Sequence, residues 1–139
     1  MMKFSSVKSL VLALFVISVV CFTSIFPSCN VSTANISEVK LCTSLTGSEC
    51  GGDMSAFKND VAVVYCSALL KNAPSDTKVT FEWKHNGESM GKAEVKTESA
   101  YINSTFRPTG ELSPGKYSVT VKIDTDNSTP VTKEFTIEE

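Results

Sequence analysis

The run GKYSVTVKI, Gly115 to Ile123, constrains this chain more than any other. In it Tyr117, Val119, Val121 and Ile123 alternate with Ser118, Thr120 and Lys122. A period of two lines one face of a strand with apolar groups and the other with polar ones, whereas a helix repeats near 3.6. The pattern recurs along the chain. VTFEWK sets Val79, Phe81 and Trp83 against Thr80, Glu82 and Lys84, VTKEFTI puts Val131, Phe135 and Ile137 on one parity, and VKLCTSL does the same with Val39, Leu41 and Leu45. VAVVYCSALL from Val61 is apolar on both parities, as a central strand is. MGKAEVKT from Met90 reads as an edge strand whose lysines discourage pairing, and AYINSTF from Ala100 as a strand of undetermined facing. The connections NAPSDT, HNGE with its Asn86-Gly87 hairpin pair, SPGK and DTDNSTP carry turn chemistry. Seven such strands without a convincing helix predict an all-β fold over 38–139, a single antiparallel β-sandwich.

Upstream the composition changes. MMKFSSVK carries Lys3 and Lys8 and no acid, and Leu10 to Phe26 is apolar apart from Ser18, Thr23 and Ser24. This is the charged start and apolar middle of a secretory signal, read as a signal-peptide helix within residues 1–28. As a helix the apolar stretch reaches roughly 26 Å, short of the ~30 Å hydrocarbon core, and Pro27 ends it, so an uncleaved anchor is the second choice. Phe26-Pro27-Ser28-Cys29 resembles the lipobox at which a lipoprotein signal peptidase cuts before the cysteine that takes the lipid. Phe26 and Pro27 depart from the usual Leu and Ala or Ser, and Cys21, behind the bulky Val20, fits less well. The resemblance implies a lipid on Cys29 and a polar tether over 29–37. An ordinary signal peptidase, reading Ser32-Thr33-Ala34 as a small-x-small site, would instead release a chain beginning at Asn35. Removing residues 1–28 leaves 11 basic and 15 acidic side chains, a formal charge of −4 with no basic footprint for nucleic acid. The 111 residues from Cys29 suit one domain.

With Cys29 lipidated or removed, Cys42, Cys50 and Cys66 remain, an odd number in an oxidising compartment. One disulfide and one free thiol follow. The Cys42–Cys50 ring across CTSLTGSEC is the easiest to close, and pairings with Cys66 are the alternatives, because spacing does not fix connectivity. No C-x-x-C motif supports a redox pair.

The segment ELSPGKYSVTV, Glu111 to Val121, resembles the L-x-P-G-x-Y-x-V-x-V corner of fibronectin type III and related immunoglobulin-like domains. The resemblance implies an immunoglobulin-like sandwich in which the Tyr117 hydroxyl bonds back to upstream backbone, and in which Trp83, seventeen residues after Cys66, is the core tryptophan of the third strand. Val119 stands where an antibody-like domain has its second cysteine, so no inter-sheet disulfide of that kind forms. From Val39 to Ile137 the chain also resembles small exported bacterial proteins with a sandwich domain, a likeness that specifies fold better than function.

Each candidate for chemistry has a structural reading beside it. His85, the one histidine, removes any histidine cluster for zinc, and it flanks the Asn86-Gly87 turn as a solvated residue rather than as a general base. No serine sits in G-x-S-x-G, so a triad is unsupported and the chain is read as non-enzymatic. DTDNS, Asp124 to Ser128, offers the hard oxygens calcium prefers, but lacks the EF-hand pattern and serves equally as a hairpin tip. The glycines of Cys50 to Asp53 (CGGD) follow no P-loop pattern and read as a loop. Trp83 is an aromatic platform for sugar by type but a core residue by parity, leaving Tyr65 and Tyr101 as possible surface aromatics. Asn30, Asn35, Asn103 and Asn127 begin N-x-S/T sequons, which matter only in a glycosylating host. No cofactor or metal is expected. The sequence therefore points to a lipid-anchored, extracytoplasmic envelope protein that contacts a membrane through Cys29 and a protein partner through its loops or an edge strand. A carbohydrate-binding accessory module, secreted or surface-attached, is the alternative.

Overall fold

The structure, a computed structural model, describes residues 33–124 and 128–139. The signal-peptide helix and Cys29 lie outside the described residues, as do Thr125 to Asn127. Ten strands in three sheets, and no helix, occupy the described part. The seven expected strands are β1 (Asn35–Cys42), β5 (Val64–Lys71), β6 (Lys78–His85), β7 (Glu88–Lys96), β8 (Tyr101–Phe106), β9 (Gly115–Ile123) and β10 (Val131–Glu138). Three short ones are added: β2 (Leu45–Thr46), β3 (Glu49–Cys50) and β4 (Ala56–Lys58).

One sheet has the order β1-β5-β8 and a larger one β4-β10-β9-β6-β7, while β2 and β3 form a two-stranded hairpin. The alternation of apolar residues decides how the two larger sheets meet. Leu41, Val64, Cys66 and Ala68 from the first, and Val79, Phe81, Val119, Val121 and Ile123 from the second, are all 0 % exposed and belong to one core cluster. Burying that many branched and aromatic side chains, each contributing about 1.5–3 kcal/mol, is the main force holding this β-sandwich-like arrangement together.

Two expectations need correction. The fold is not wholly antiparallel, because β4 runs parallel to the end of β10, with Phe57 opposite Ile137. Phe57 packs edge-on to Phe135 with ring centroids 5.5 Å apart, and that contact anchors a three-residue strand too short to show alternation. The second concerns the tether: β1 begins at Asn35, where residues 35–37 pair with Leu69 to Lys71. A register shift follows between Ser37 and Lys40, and Glu38 there adopts φ 48°. Such a bulge carries a non-glycine residue into the left-handed region and hides the strand's true start from a period-two reading.

The β2–β3 hairpin lies on the face of the β1-β5-β8 sheet turned away from the core. The Cys50 amide donates to Ser67 Oγ at 3.0 Å, and both residues are 0 % exposed. Cys42 and Cys50 are joined by a disulfide with Cα atoms 5.7 Å apart. This hairpin explains why β5 reads as buried on both parities: Cys66 and Ala68 meet the main core, and Ser67 between them meets the hairpin. Cys66 is a free, buried thiol on the opposite face from the disulfide.

Candidate interaction surface

The chemistry-bearing residues singled out by sequence are mostly engaged in holding the fold. Trp83 is 5 % exposed, stacks on Phe106 at 5.4 Å and donates its Nε1–H to Ser104 Oγ at 3.3 Å. It is therefore unable to serve as a sugar platform, and Tyr65 and Tyr101 are half-buried. Tyr117 donates its hydroxyl to the Ser113 carbonyl at 2.9 Å, an i to i−4 bond across the turn leading into β9. Burial raises the pKa of this phenol, so the hydroxyl remains a donor well above neutral pH.

His85 is not a simple solvated turn residue. Its ring lies flat on Tyr117 at 4.2 Å with an interplanar angle of 10°, and Tyr117 in turn stacks on Phe135 at 5.5 Å. Cross-strand register produces this row, since His85 faces Tyr117 on β9 and Tyr117 faces Phe135 on β10. Parity could have found it: position 85 continues the inward series Val79, Phe81, Trp83. The neighbouring Asn86 and Gly87 have φ 48° and 83°, the positive pair a tight hairpin requires. An open groove of about 690 Å³ runs beside this turn, lined among others by Asn86, Lys116, Ser118, Glu134 and Thr136.

Asp53, the last residue of CGGD, closes the opening between the sheets rather than cradling an anion. Its Oδ1 accepts the Leu41 amide at 3.1 Å, and its Oδ2 is paired with Lys133 on β10. Burial pushes this carboxyl up, but the Lys133 and Leu41 hydrogen bonds outweigh it and hold the pKa below the ordinary value of 3.8. Cys66 shows the uncompensated case. Its desolvated thiol is pushed up to about 12, so it stays protonated at neutral pH. Of the DTDNS segment, Asp124 accepts the Thr80 hydroxyl at 2.7 Å, and Thr125 to Asn127 lie outside the described residues. No group of three or more His, Cys, Asp or Glu able to hold a metal occurs among the described residues. Of the sequon asparagines, Asn35 is exposed at the start of β1, Asn103 is half-buried on β8, and Asn30 and Asn127 lie outside the described residues.

What the fold leaves open is edge backbone. On the β1 edge, Leu41 is covered by Asp53 and by Met54, whose amide donates to the Leu41 carbonyl at 2.8 Å. The end of β10 is covered by β4. β7 and β8 each end their sheets with no further strand beside them among the described residues. β7 is the longer, nine residues of which only Ala93 and Val95 are half-buried and the rest exposed. The direction of its free groups follows from one bond: the Thr97 amide donates to the Thr77 carbonyl at 3.0 Å, towards β6. Antiparallel pairing alternates, so the odd residues 91, 93 and 95 also turn their N–H and C=O groups to β6. Lys92, Glu94 and Lys96 turn theirs to the open side. Just before them the ladder shifts register, with Gly91 at φ 152° opposite Trp83. No protein-family model matches this sequence, and comparison with curated proteins finds no match.

Proposed function

We propose that this protein is a non-catalytic interaction module of the cell envelope, an immunoglobulin-like domain fastened to a membrane by a lipid on Cys29. The observation that carries the reading is the contrast between its polar side chains and its backbone. Asp53, Ser67, Ser104 and Tyr117 are consumed by internal bonds, whereas a nine-residue edge strand keeps its outward N–H and C=O groups free. Such an edge binds protein by strand addition, with backbone hydrogen bonds for affinity and alternate side chains for selectivity. The partition of strands β1, β5 and β8 against β6, β7, β9 and β10 supports the immunoglobulin-like assignment, as does the Tyr117 bond at the corner.

The anchor has a geometric consequence. With β1 starting at Asn35, residues 30–34 are the whole connection from Cys29, at most roughly 18 Å when fully extended. The domain then stands close to the membrane with the Asn35 end of β1 facing it. Intact-mass spectrometry of the protein purified from its host tests the anchor: an N-terminal diacyl- or triacyl-cysteine at position 29 supports it, and an unmodified chain starting at Asn35 overturns it. A glycan array probed with the same material tests the competing carbohydrate-binding reading, for which retention of any glycan would speak.

A further inference from the structure

We propose that the partner of the β7 edge is a second copy of this chain, docked antiparallel to the first about a two-fold axis at Ala93. This rests on reading the domain as an interaction module and names the occupant of its edge. The argument is one of register. In an antiparallel pair the residues that meet must share parity, or inner side chains would face outer ones, so a self-pairing of β7 must centre on a residue. Centring on Lys92 sets lysine against lysine, and centring on Glu94 sets Glu94 against itself and Lys92 against Lys96. Centring on Gly91 sets Glu88 against Glu94.

Centring on Val95 also sets Glu94 against Lys96, but it leaves only residues 94–96 with partners inside β7, and centring on Met90 sets Lys92 against Glu88 across the bulge at Gly91. Centring on Ala93 pairs residues 90–96, brings opposite charges together and opposes no like ones. Lys92 then faces Glu94 of the second copy, and by symmetry Glu94 faces its Lys92. These are also the residues whose N–H and C=O groups point to the open side, so each Lys92–Glu94 pair exchanges two backbone hydrogen bonds and adds a charge pair. Ala93 meets Ala93, and Val95 meets Gly91, where the missing side chain leaves room. Lysines on an edge usually repel incoming strands. Here, alternating with glutamate, they favour the self-register that pairs the longest stretch of β7 without opposing like charges.

The pairing is short, bounded by the bulge at Gly91, and it lies below the roughly 1,200 Å² of a standard interface, so the dimer is weak. Its two-fold axis crosses the strands, so the Asn35 ends of the two domains point in opposite directions. Copies carrying lipids would therefore join facing membranes rather than sit side by side on one.

Charge reversal tests the register. Lys92→Glu and Glu94→Lys are both on exposed positions and leave the core untouched, but Lys92→Glu also gives up the 3.7 Å pair with Glu82 opposite it on β6, so recovery in the mixture, and not loss in that variant alone, identifies the register. Sedimentation equilibrium of the full chain, in a detergent holding one chain per micelle where lipid is present, should show a concentration-dependent dimer. Either single variant should weaken it at least tenfold. An equimolar mixture of the two variants should restore it, because every cross-copy pair is then again opposite in charge. A wild-type chain that stays monomeric at millimolar concentration, single variants that dimerise like the wild type, or a mixture that fails to recover would each overturn the proposal. The lipid on Cys29 is read separately by mass, so loss of self-pairing and loss of the anchor are distinguishable.

Discussion

Removing the Cys42–Cys50 bridge by the double substitution Cys42→Ala, Cys50→Ala should destabilise the domain by about 2.5 kcal/mol. The figure comes from the size of the ring: the two residues are 8 apart in sequence, and closing a loop of that length removes roughly 8 cal/mol/K of entropy from the unfolded chain. For a domain of this length the loss lowers the melting temperature by on the order of 10 °C. Trp83, the only tryptophan, is buried against Phe106, so its fluorescence reports the urea transition without a label. The midpoint should fall by roughly 1–2 M with m near 1–3 kcal/mol/M. The variant should still fold, since the hairpin keeps the Cys50 amide bond to Ser67 and the Lys40–Glu49 ion pair at 2.9 Å. A midpoint shift equivalent to less than about 0.5 kcal/mol would show that those contacts already order the ring in the unfolded chain, and the entropic reasoning would fail. The native variant should leave Cys66 unreactive to iodoacetamide, because its protection comes from the core face of β5 and not from the hairpin.

Other outcomes follow from single contacts. Tyr117→Phe keeps the ring stack with His85 and Phe135 but strands the Ser113 carbonyl, and should cost about 1 kcal/mol in thermal or urea denaturation. Asp53→Asn removes a carboxylate whose folded pKa lies below 3.8. A depressed carboxyl stabilises above its unfolded pKa and loses that contribution as pH falls through the folded value, so stability of the variant should be lower at pH 7 and flatter below about pH 4. Gly115 has φ 149°, and a Cβ there would lie 3.3 Å from His85 Nε2. Gly115→Ala should therefore destabilise by roughly 1–2 kcal/mol, and by less in a His85→Ala background, with equal costs in both backgrounds counting against the contact.

The long strands were legible because their alternation is long. VTFEWK and YSVTVKI each supply three or more apolar residues at one parity, and β6 and β9 sit next to each other as the core demands. The short ones were not. β2, β3 and β4 are two or three residues each, held by a disulfide, a serine hydroxyl and one aromatic contact, none of which leaves a period in the sequence. At the site level, the tyrosine turn could be read from SPGKY, and Trp83 could be placed in the core from parity alone. The task given to Asp53 could not, because its partners Leu41 and Lys133 are 12 and 80 residues away. Nor did spacing choose the disulfide. Face did: Leu41 enters the core, which turns Cys42 outward, while Cys66 shares its parity with Val64, Ala68 and Leu70 and turns inward.

The same period governs what β7 can offer. Along a strand the side chain changes face, and the N–H and C=O change side, with each residue, so on an edge strand the two are locked together. In β7 the residues whose backbone is free are Lys92, Glu94 and Lys96, the charged ones, and the residues turned back to β6 are Gly91, Ala93 and Val95, the small ones. Had β7 paired with β6 one residue out of step, Ala93 and Val95 would face solvent and the charges would press on Phe81. The apolar pattern of β6 therefore fixes which charges the free edge displays. A docking strand reads lysine and glutamate at its hydrogen-bonded pairs, where the backbones lie about 5.5 Å apart. Its closer pairs, near 4.5 Å, fall on glycine, alanine and valine. Small residues at the close positions and alternating charge at the wide ones form a surface that selects an extended partner by the order of its charges as well as by its backbone, which is a stronger constraint than exposure of the edge alone.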